Sequence, residues 1–194
     1  MNPLPRCLSL IAIGWLSLSL SGCQSTPEQL TIEPVMTPPG HSIPVQLRVR
    51  DGRPHNHLLR RLHHEDKAEF ATAQQPLATL ISGNLAPYWP DSPAAERTVD
   101  IEIEEALIEV TRAGLQHHIQ YELVLATTVQ APQGELQKTF RGQASGQSPV
   151  APGSSRLERD FNLLAGEVLE NLVSDQDIRD WLQAEAAEYT EQAP

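Results

Sequence analysis

The sequence predicts a single α+β domain: an antiparallel sheet, made of a three-stranded meander and an N-terminal strand, with helices packed on one side. Three observations support this fold class. Apolar and polar residues alternate through residues 98–144, which is typical of strands. After residue 155 apolar residues recur every three or four positions, which is typical of a helix. The 194 residues are 40% hydrophobic and 20% charged, a composition that fits one globular domain with some unstructured sequence attached.

The chain begins with a segment that has the features of a secretory signal peptide. The stretch from Leu8 to Leu20 is apolar apart from three serines, and its 13 residues fall short of the roughly 20 that a membrane-spanning helix needs. Small residues, Ser21 and Gly22, precede Cys23, as cleavage by a signal peptidase requires. The tetrapeptide ending at Cys23 resembles the lipobox of bacterial lipoproteins. The resemblance implies cleavage before Cys23 and its modification with a diacylglycerol and an N-acyl chain; a chance cysteine after an ordinary signal, or an uncleaved anchor, is the alternative.

The charge of the mature chain and the residue after Cys23 indicate which partners to exclude and where the protein is located. Removal of the leader takes away one cation, Arg6, so 14 basic residues become 13 against 25 acidic ones. This acidity argues against nucleic acid as a partner. Only Cys23 would remain as a thiol, which excludes an internal disulfide. Gln24 follows it, whereas lipoproteins kept at the inner membrane typically carry aspartate there, so we expect the periplasmic face of the outer membrane.

The residues after the cysteine are typical of a tether. Residues 24–42 contain four prolines and few large apolar residues, so we expect them to lack a core of their own. The predicted organisation is therefore a signal peptide at 1–22, a lipidated N-terminus and flexible tether at 23–42, one periplasmic domain at 43–184 and an acidic C-terminal tail at 185–194.

The first part of the domain is predicted to contain strands and one helix. Ile43, Val45, Leu47 and Val49 alternate with polar residues, which indicates a half-buried strand that ends at 51–52. Residues 53–72 are consistent with two short strands joined by a turn near 63–66. Pro76 suits the first turn of a helix that prolines 87 and 90 end.

Three strand patterns follow, separated by turn residues at 112–116 and 131–134. Within the first strand the apolar residues change parity between positions 103 and 106. A bulge near 104–106 would place six apolar residues on the core side of the sheet. Consecutive strands joined by short turns predict an antiparallel meander.

Two helices are predicted to close the domain. Ser155 and Glu158 have the spacing of a capping box. An apolar stripe follows at steps of four, three, four and four, formed by Leu157, Phe161, Leu164, Val168 and Leu172. Ser174 and Asp177 are predicted to start the second helix.

These segments together resemble the YajG-type lipoprotein family. The resemblance is carried by the lipobox, the tether sequence "TIEP", the strand ending "VRDGR", the strands "VDIEIEEALIEV" and "HHIQYELVLATTVQAPQGELQKTFRG", and the closing "VLENLVSDQDIRDWLQ". It is a likeness of overall pattern and does not extend to the basic, histidine-rich insertion at 53–67. It implies a membrane-anchored periplasmic domain and carries over no active site.

The insertion contains two candidate binding features. Four histidines fall within ten positions, and they suggest either a zinc or copper site or an exposed loop: His55, His57, His63 and His64. Five arginines lie in the same part of the chain and suggest an anion or partner contact, with an ordinary solvated face as the alternative: Arg48, Arg50, Arg53, Arg60 and Arg61.

No pattern typical of an enzyme follows. Asp100, Glu102 and Glu104 have the spacing of paired carboxylates, but alternate acids are also typical of an exposed sheet face. His117 shares the apolar parity of its strand, which favours a partly buried strand-end residue over a catalytic base. The chain has no nucleophile-elbow, Walker or dinucleotide-binding motif.

The expected function is therefore a non-catalytic one in the envelope of a Gram-negative bacterium. We expect an outer-membrane lipoprotein, with no cofactor or resident metal beyond the acyl groups on Cys23, whose domain binds another envelope component through the segment 48–61 or the exposed side of the terminal helices. The alternative is a carrier or assembly factor for lipid or lipopolysaccharide, which needs an apolar groove open to solvent. A cell-wall hydrolase is a third hypothesis and needs a cleft with convergent carboxylates.

Overall fold

The computed structural model describes residues 28–37, 42–64 and 67–184, which form one mixed sheet of seven strands covered on one face by three helices. The strands are β1 Gln29–Leu30, β2 Gln46–Asp51, β3 His57–His64, β4 Lys67–Ala73, β5 Thr98–Ala113, β6 Gln116–Ala131 and β7 Gly134–Ser148. The helices are α1 Leu77–Leu85, α2 Ser154–Ser174 and α3 Gln176–Gln183. The α+β class is confirmed.

The meander is formed by β5, β6 and β7, which pair antiparallel over almost their whole length. Gly114 has φ 64°, the positive value that suits the first central position of a tight hairpin turn, so the chain reverses between β5 and β6 within two residues. The register shifts between Ile103 and Glu105. This shift is the predicted bulge, and because of it six apolar residues of β5 are buried on one face: Val99, Ile101, Ile103, Ala106, Ile108 and Val110.

The sheet differs from the purely antiparallel arrangement expected for it. Strands β2 and β3 lie end to end along the free edge of β5 and both run parallel to it, with Gln46–Asp51 beside Thr98–Ile103 and Leu59–Leu62 beside Ile108–Thr111. The two predicted short strands form the antiparallel pair β3–β4. Parallel pairing arises because β4 and α1 carry the chain back to the end where β2 starts before β5 begins, and such a crossover cannot be read from hydrophobic periodicity.

All three helices contribute to one core with the buried face of the sheet. The predicted stripe on α2 is buried throughout, as are four residues of α1 and two of α3. Gly142 of β7 lies directly under this stripe, since a Cβ built there would come within 2.4 Å of Val168 Cγ2. We call the helix side of the sheet the covered face and the opposite side the open face.

The helix caps differ from those predicted. Helix α2 begins at Ser154 after Gly153, without a side-chain cap, so the capping box of Ser155 and Glu158 is absent. Glu158 instead accepts a hydrogen bond from the backbone N–H of Thr31 at 2.8 Å, because an extended segment occupies the space beside the helix. Helix α3 is capped by Asp175, whose carboxylate accepts from Ile178 N–H at 3.0 Å. The predicted start at Ser174 is therefore one residue early.

That extended segment is residues 28–37, here called the strap, and it corrects the predicted tether of 23–42. Leu30 and Ile32 are 0% and 6% exposed and belong to the core. The strap runs parallel to α2, and its backbone N–H groups donate to the side chains of α2: Thr31 to Glu158, Glu33 to Asn162 and Thr37 to Glu170. The folded domain therefore begins by residue 28, before the boundary at 43.

Several predictions fall on parts of the chain outside the described residues. These are the signal peptide, Cys23, the centre of the turn at 65–66 and the acidic tail at 185–194. Within the described ranges, no helix has the length and hydropathy needed to cross a bilayer.

Candidate functional site

Three of the five candidate arginines lie on the open face, each beside a carboxylate of β5. Arg50 Nη2 is 2.5 Å from Glu102 Oε2, and Arg48 Nη1 is 3.9 Å from Asp100 Oδ1. Arg60 pairs in the same way with Glu109 across the β3–β5 pairing. The parallel register places alternate cations opposite alternate anions, and it explains this ladder of ion pairs. Such exposed pairs are each worth at most about 1 kcal/mol.

Arg53 has a different role, because it fills the gap between the end of β2 and the start of β3. Its side chain is only 6% exposed. Nη1 donates to the backbone carbonyls of His57 and Ala106, at 3.1 and 3.0 Å, and the guanidinium pairs with Asp51 at 2.8 Å. The hydrogen bonds from Arg53 hold the pKa of the Asp51 carboxyl below its usual value. The bulge of β5 lies at the same level. Arg53 therefore links the end of β2, the start of β3 and the bulged part of β5.

Arg61 points to the covered side of β3. Its guanidinium is 2.7 Å from the carboxylate of Glu28, at the start of the strap, and Ser154 Oγ donates to the same carboxylate. This pairing ties the first described residue of the chain to β3 and to the first residue of α2. The five arginines therefore do not form one patch: three lie on the open face, one is buried and one faces the strap.

The histidines of the insertion are close together but contact different partners. His55 stacks on His57 with ring centroids 5.4 Å apart, and His57 lies 4.8 Å from the ring of Phe70. Burial, then the nearby cationic side chains, lowers the pKa of His57. His63 Nε2 is 2.9 Å from Glu69 Oε2, and this hydrogen bond lowers the pKa of Glu69. Among the described residues, no cluster of three or more His, Cys, Asp or Glu residues is placed to bind a metal ion.

The three carboxylates singled out in the sequence are distributed along β5. Asp100 and Glu102 are engaged by Arg48 and Arg50, and Glu104 is the exposed residue at the bulge. His117 is half-buried at the start of β6, opposite Arg112 of β5 and Ser148 of β7, in keeping with a strand-end residue. This arrangement gives Asp100 and Glu102 a structural role in the ion-pair ladder, which does not include Glu104.

A shallow groove on the open face was not anticipated from the sequence. It encloses about 460 Å³ across β3, β5, β6 and β7. One side chain beside it, Val124, is 1% exposed although it lies on the open face, beside Glu105 and Arg141 in the strand register. The groove is polar and carries both charges, with Arg60, Glu105, Glu109, Gln120, Glu122, Gln143 and Ser145 among its lining residues. Only the strand register, which periodicity does not supply, brings these residues together.

The space between helices and sheet has a different character from the groove. Trp89 and Phe161 are each at most 2% exposed, and they belong to one buried core with aliphatic side chains of all three helices and of the sheet. Tyr121 reaches out of this layer, and its hydroxyl donates to Asp160 of α2 at 3.2 Å. Burial, and then the charge of Asp160, raises the pKa of Tyr121 well above its usual value. The core around Trp89 and Phe161 is therefore closed to solvent, and grooves of about 470 and 360 Å³ open beside the strap, against α1 and α2.

Comparisons with known proteins bear on both fold and family. A family model described as "Uncharacterized lipoprotein" matches residues 31–183, so the match starts inside the strap. No curated protein matches the sequence.

Two solved structures match this chain to different degrees. Protein XCC0632 from Xanthomonas campestris, described as a DUF330 protein, has a TM-score of 0.52 at 12% identity, and the match covers 75% of this chain and 92% of that one. A minor lipoprotein from Acinetobacter baumannii has a TM-score of 0.33 at 14% identity, over 71% of this chain and 90% of that one. The first of these supports the fold alone.

Proposed function

Because the chain belongs to the family of uncharacterized lipoproteins whose model spans residues 31–183, we propose that it is an outer-membrane lipoprotein whose periplasmic domain binds another envelope protein and performs no reaction. Within that family, we propose the YajG-type subgroup on the sequence segments described above. The anchor is a diacylglycerol and an N-acyl chain on Cys23.

The position of Cys23 supports the anchor, because it follows an apolar leader and two small residues. Several acyl chains hold a protein on a bilayer far more durably than one chain, since each buried methylene is worth about 0.8 kcal/mol. Gln24 supports sorting to the outer membrane. In wild-type cells, density separation of the two membranes should place the protein in the outer-membrane fraction, and Cys23→Ser should release or mislocalise it. Wild-type protein in the inner-membrane fraction would contradict the sorting.

The single observation that carries the binding role is the open face itself. Three strands of 16, 16 and 15 residues present one side to solvent, because all three helices pack on the other. This surface is polar, carries both charges and contains the groove of about 460 Å³. Protein interfaces that form and dissociate have such a mixed composition, and charged groups at their rims set specificity. We infer that the partner is a protein of mixed charge.

Photo-crosslinking in intact cells tests this surface. A photoreactive residue in place of Gln120 or Ser145, both at the groove, should trap a specific neighbour. The matched position is Glu167 on the exposed side of α2, the second surface expected from the sequence. An adduct at Glu167 with none at Gln120 or Ser145 would overturn the assignment to the open face and favour the terminal helices.

The geometry gives less support to a lipid or lipopolysaccharide carrier. Such a carrier needs an apolar groove that opens to solvent, whereas Trp89 and Phe161 are buried in the core and the two grooves beside the strap are both lined in part by Glu33. Native mass spectrometry of the protein purified from cells distinguishes the two roles. If the domain binds only proteins, the mass of the isolated chain should equal that of the acylated polypeptide. A carrier should show additional mass from bound lipid.

A further inference from the structure

Several loops meet at one end of the sheet, which we call the proximal end. It consists of the β5–β6 turn at 113–116, the β7–α2 connection at 149–153 and the start of β4 at Lys67. The strand register brings them together: Arg112 of β5 is opposite His117 of β6, which is opposite Ser148 of β7. On the other side, Leu62 of β3 lies beside Thr111, near the same end of β5.

The strap starts inward of this end and runs away from it, because Gln29 pairs in parallel with Thr72, five residues after Lys67 along β4. Glu28 is held by Arg61, three residues before the end of β3, and by Ser154, the first residue of α2. From there the strap follows α2 towards its C-terminus. Five residue steps separate Cys23 from Glu28, and they can span at most about 18 Å. The opposite end of the sheet is farther away, since the 16 residues of β5 extend over about 50 Å.

The proximal end also carries exposed apolar side chains. Leu115, in the β5–β6 turn, is 86% exposed, and Val150, just after β7, is 69% exposed. Arg112 and Lys67, both exposed, are nearby in the sheet register. The other exposed large apolar residues of the described chain, Val35, Phe70 and Leu163, lie on the strap, β4 and α2, so the opposite end has none among the described residues.

We propose that the proximal end rests on the phospholipid bilayer, with Leu115 and Val150 inserted at the boundary between headgroups and acyl chains and Arg112 and Lys67 facing anionic headgroups. This inference rests on the proposed lipidation of Cys23, because the short link to Glu28 is what confines this end to the membrane. Apolar side chains beside cations are the combination that binds such an interface. The strands then stand away from the membrane, and the open face is accessible from the side.

The test uses the acylated full-length mature protein in vesicles of phosphatidylethanolamine and phosphatidylglycerol. Because Cys23 would be blocked by its thioether, single thiols can be introduced by Leu115→Cys, Val150→Cys, Leu163→Cys and Ala94→Cys and labelled with an environment-sensitive fluorophore. Leu163 matches the other exposed apolar residues but lies on the side of α2, and Ala94 precedes β5 at the opposite end. Spin-labelled lipids should quench the probes at 115 and 150 several-fold more than those at 163 and 94.

The outcomes separate the proposed membrane contact of the proximal end from the proposed lipid anchor. Vesicle flotation together with equal or absent quenching at all four positions would overturn the proximal contact while leaving the anchor intact. Stronger quenching at 163 would show a domain lying on its side, which also overturns it. An intact mass without acyl groups, and protein that does not float with the vesicles, would remove the anchor itself, and both proposals would fall.

Discussion

At the scale of single residues, Gly166 determines how closely the strap approaches α2. A Cβ built at this position would lie 2.5 Å from the carbonyl oxygen of Val35, which is backbone and cannot rotate away. The strap's hydrogen bonds to Glu158, Asn162 and Glu170 depend on this close approach, since they lie on both sides of the crossing point. A residue with no side chain is therefore required here for packing.

We predict that Gly166→Ala lowers the free energy of unfolding by about 1–3 kcal/mol, the usual cost of an extra carbon in a packed site. Gly83→Ala is the matched control, because Gly83 is also helical but a Cβ added there would have nothing within 4 Å. That variant should gain about 0.5–1 kcal/mol from helix propensity. Urea unfolding measures both; equal effects would contradict the role given to the strap crossing.

Arg53 and Arg50 illustrate how two neighbouring arginines differ in importance. We predict that Arg53→Leu lowers the free energy of unfolding by about 2–4 kcal/mol, because the carbonyls of Ala106 and His57 lose their donor and Asp51 loses its partner. Arg50→Leu removes only an exposed pair with Glu102 and should change the free energy of unfolding by at most about 1 kcal/mol. Chemical denaturation at neutral pH separates the two values.

The pairing of Arg53 with Asp51 makes part of the free energy of unfolding depend on pH. The pKa of Asp51 is lower in the folded protein than its unfolded value of about 4, so the pair stabilises the fold above about pH 4. This contribution is lost as the pH falls through the folded pKa. In Arg53→Leu the depression disappears, and the loss of unfolding free energy between about pH 5 and pH 2 should be smaller than in wild type. Denaturation series at both pH values, on both proteins, provide the comparison.

Residue types alone indicated the arginines and carboxylates but not their roles. Arg48, Arg50 and Arg60 were predicted as a possible anion contact, and the structure places a carboxylate beside each one. That pairing follows from the register of β2 and β3 on β5, which depends on contacts distant in sequence. The anion or partner contact of these residues stays a prediction.

At the scale of elements, local patterns predicted what local chemistry determines. The bulge of β5 followed from the change in apolar parity, and the stripe on α2 from its spacing. The predicted capping box was wrong because the Glu158 carboxylate accepts a hydrogen bond from the backbone N–H of Thr31, 127 residues away in sequence. The parallel pairing of β2 and β3 was missed for the same reason, since periodicity predicts strands and not their neighbours.

Helix α3 depends on a cap that also joins it to the sheet. Asp175 accepts from Ile178 N–H, and Lys138 of β7 lies 2.8 Å from its carboxylate and 2.6 Å from that of Asp177. Burial opposes ionisation of Asp175, but the hydrogen bonds from Lys138 and Ile178 outweigh it, so its pKa is lowered.

We predict that Asp175→Ala lowers the free energy of unfolding by about 1–2 kcal/mol, the cost of a lost N-cap. Asp177→Ala serves as the control, since it removes a carboxylate from the same lysine without removing the cap. It should cost no more than a few tenths of a kcal/mol. Thermal unfolding followed by circular dichroism measures both, and equal losses would assign the effect to Lys138.

At the scale of the whole molecule, the domain boundary differs from the sequence-based one. Prolines at 27, 34, 38 and 39 made residues 24–42 look like a tether. Within that stretch Leu30, Ile32 and Pro34 alternate with exposed residues, a strand-like pattern too short and too rich in proline to be recognised alone. Its partners are α2 and β4, which come much later in the chain.

We predict that deleting residues 28–37 from the mature protein prevents cooperative folding, because two core side chains, Leu30 and Ile32, and the strap's bonds to α2 are lost together. Deleting residues 24–27 instead should leave the free energy of unfolding unchanged within about 0.5 kcal/mol. Proton NMR spectra and denaturant unfolding test the pair. A cooperative transition after the longer deletion would restore the boundary at 43.

The outer edge of β7 has a consequence for crowding. No described strand pairs with this edge, so 15 residues present backbone N–H and C=O groups on which another chain could extend the sheet. Molecules confined to a surface, as proposed for this protein, meet far more often than molecules free in three dimensions. Arg141, at the centre of β7, then opposes edge-to-edge dimerisation, because an antiparallel pair of these edges centred on it would place two arginines opposite each other.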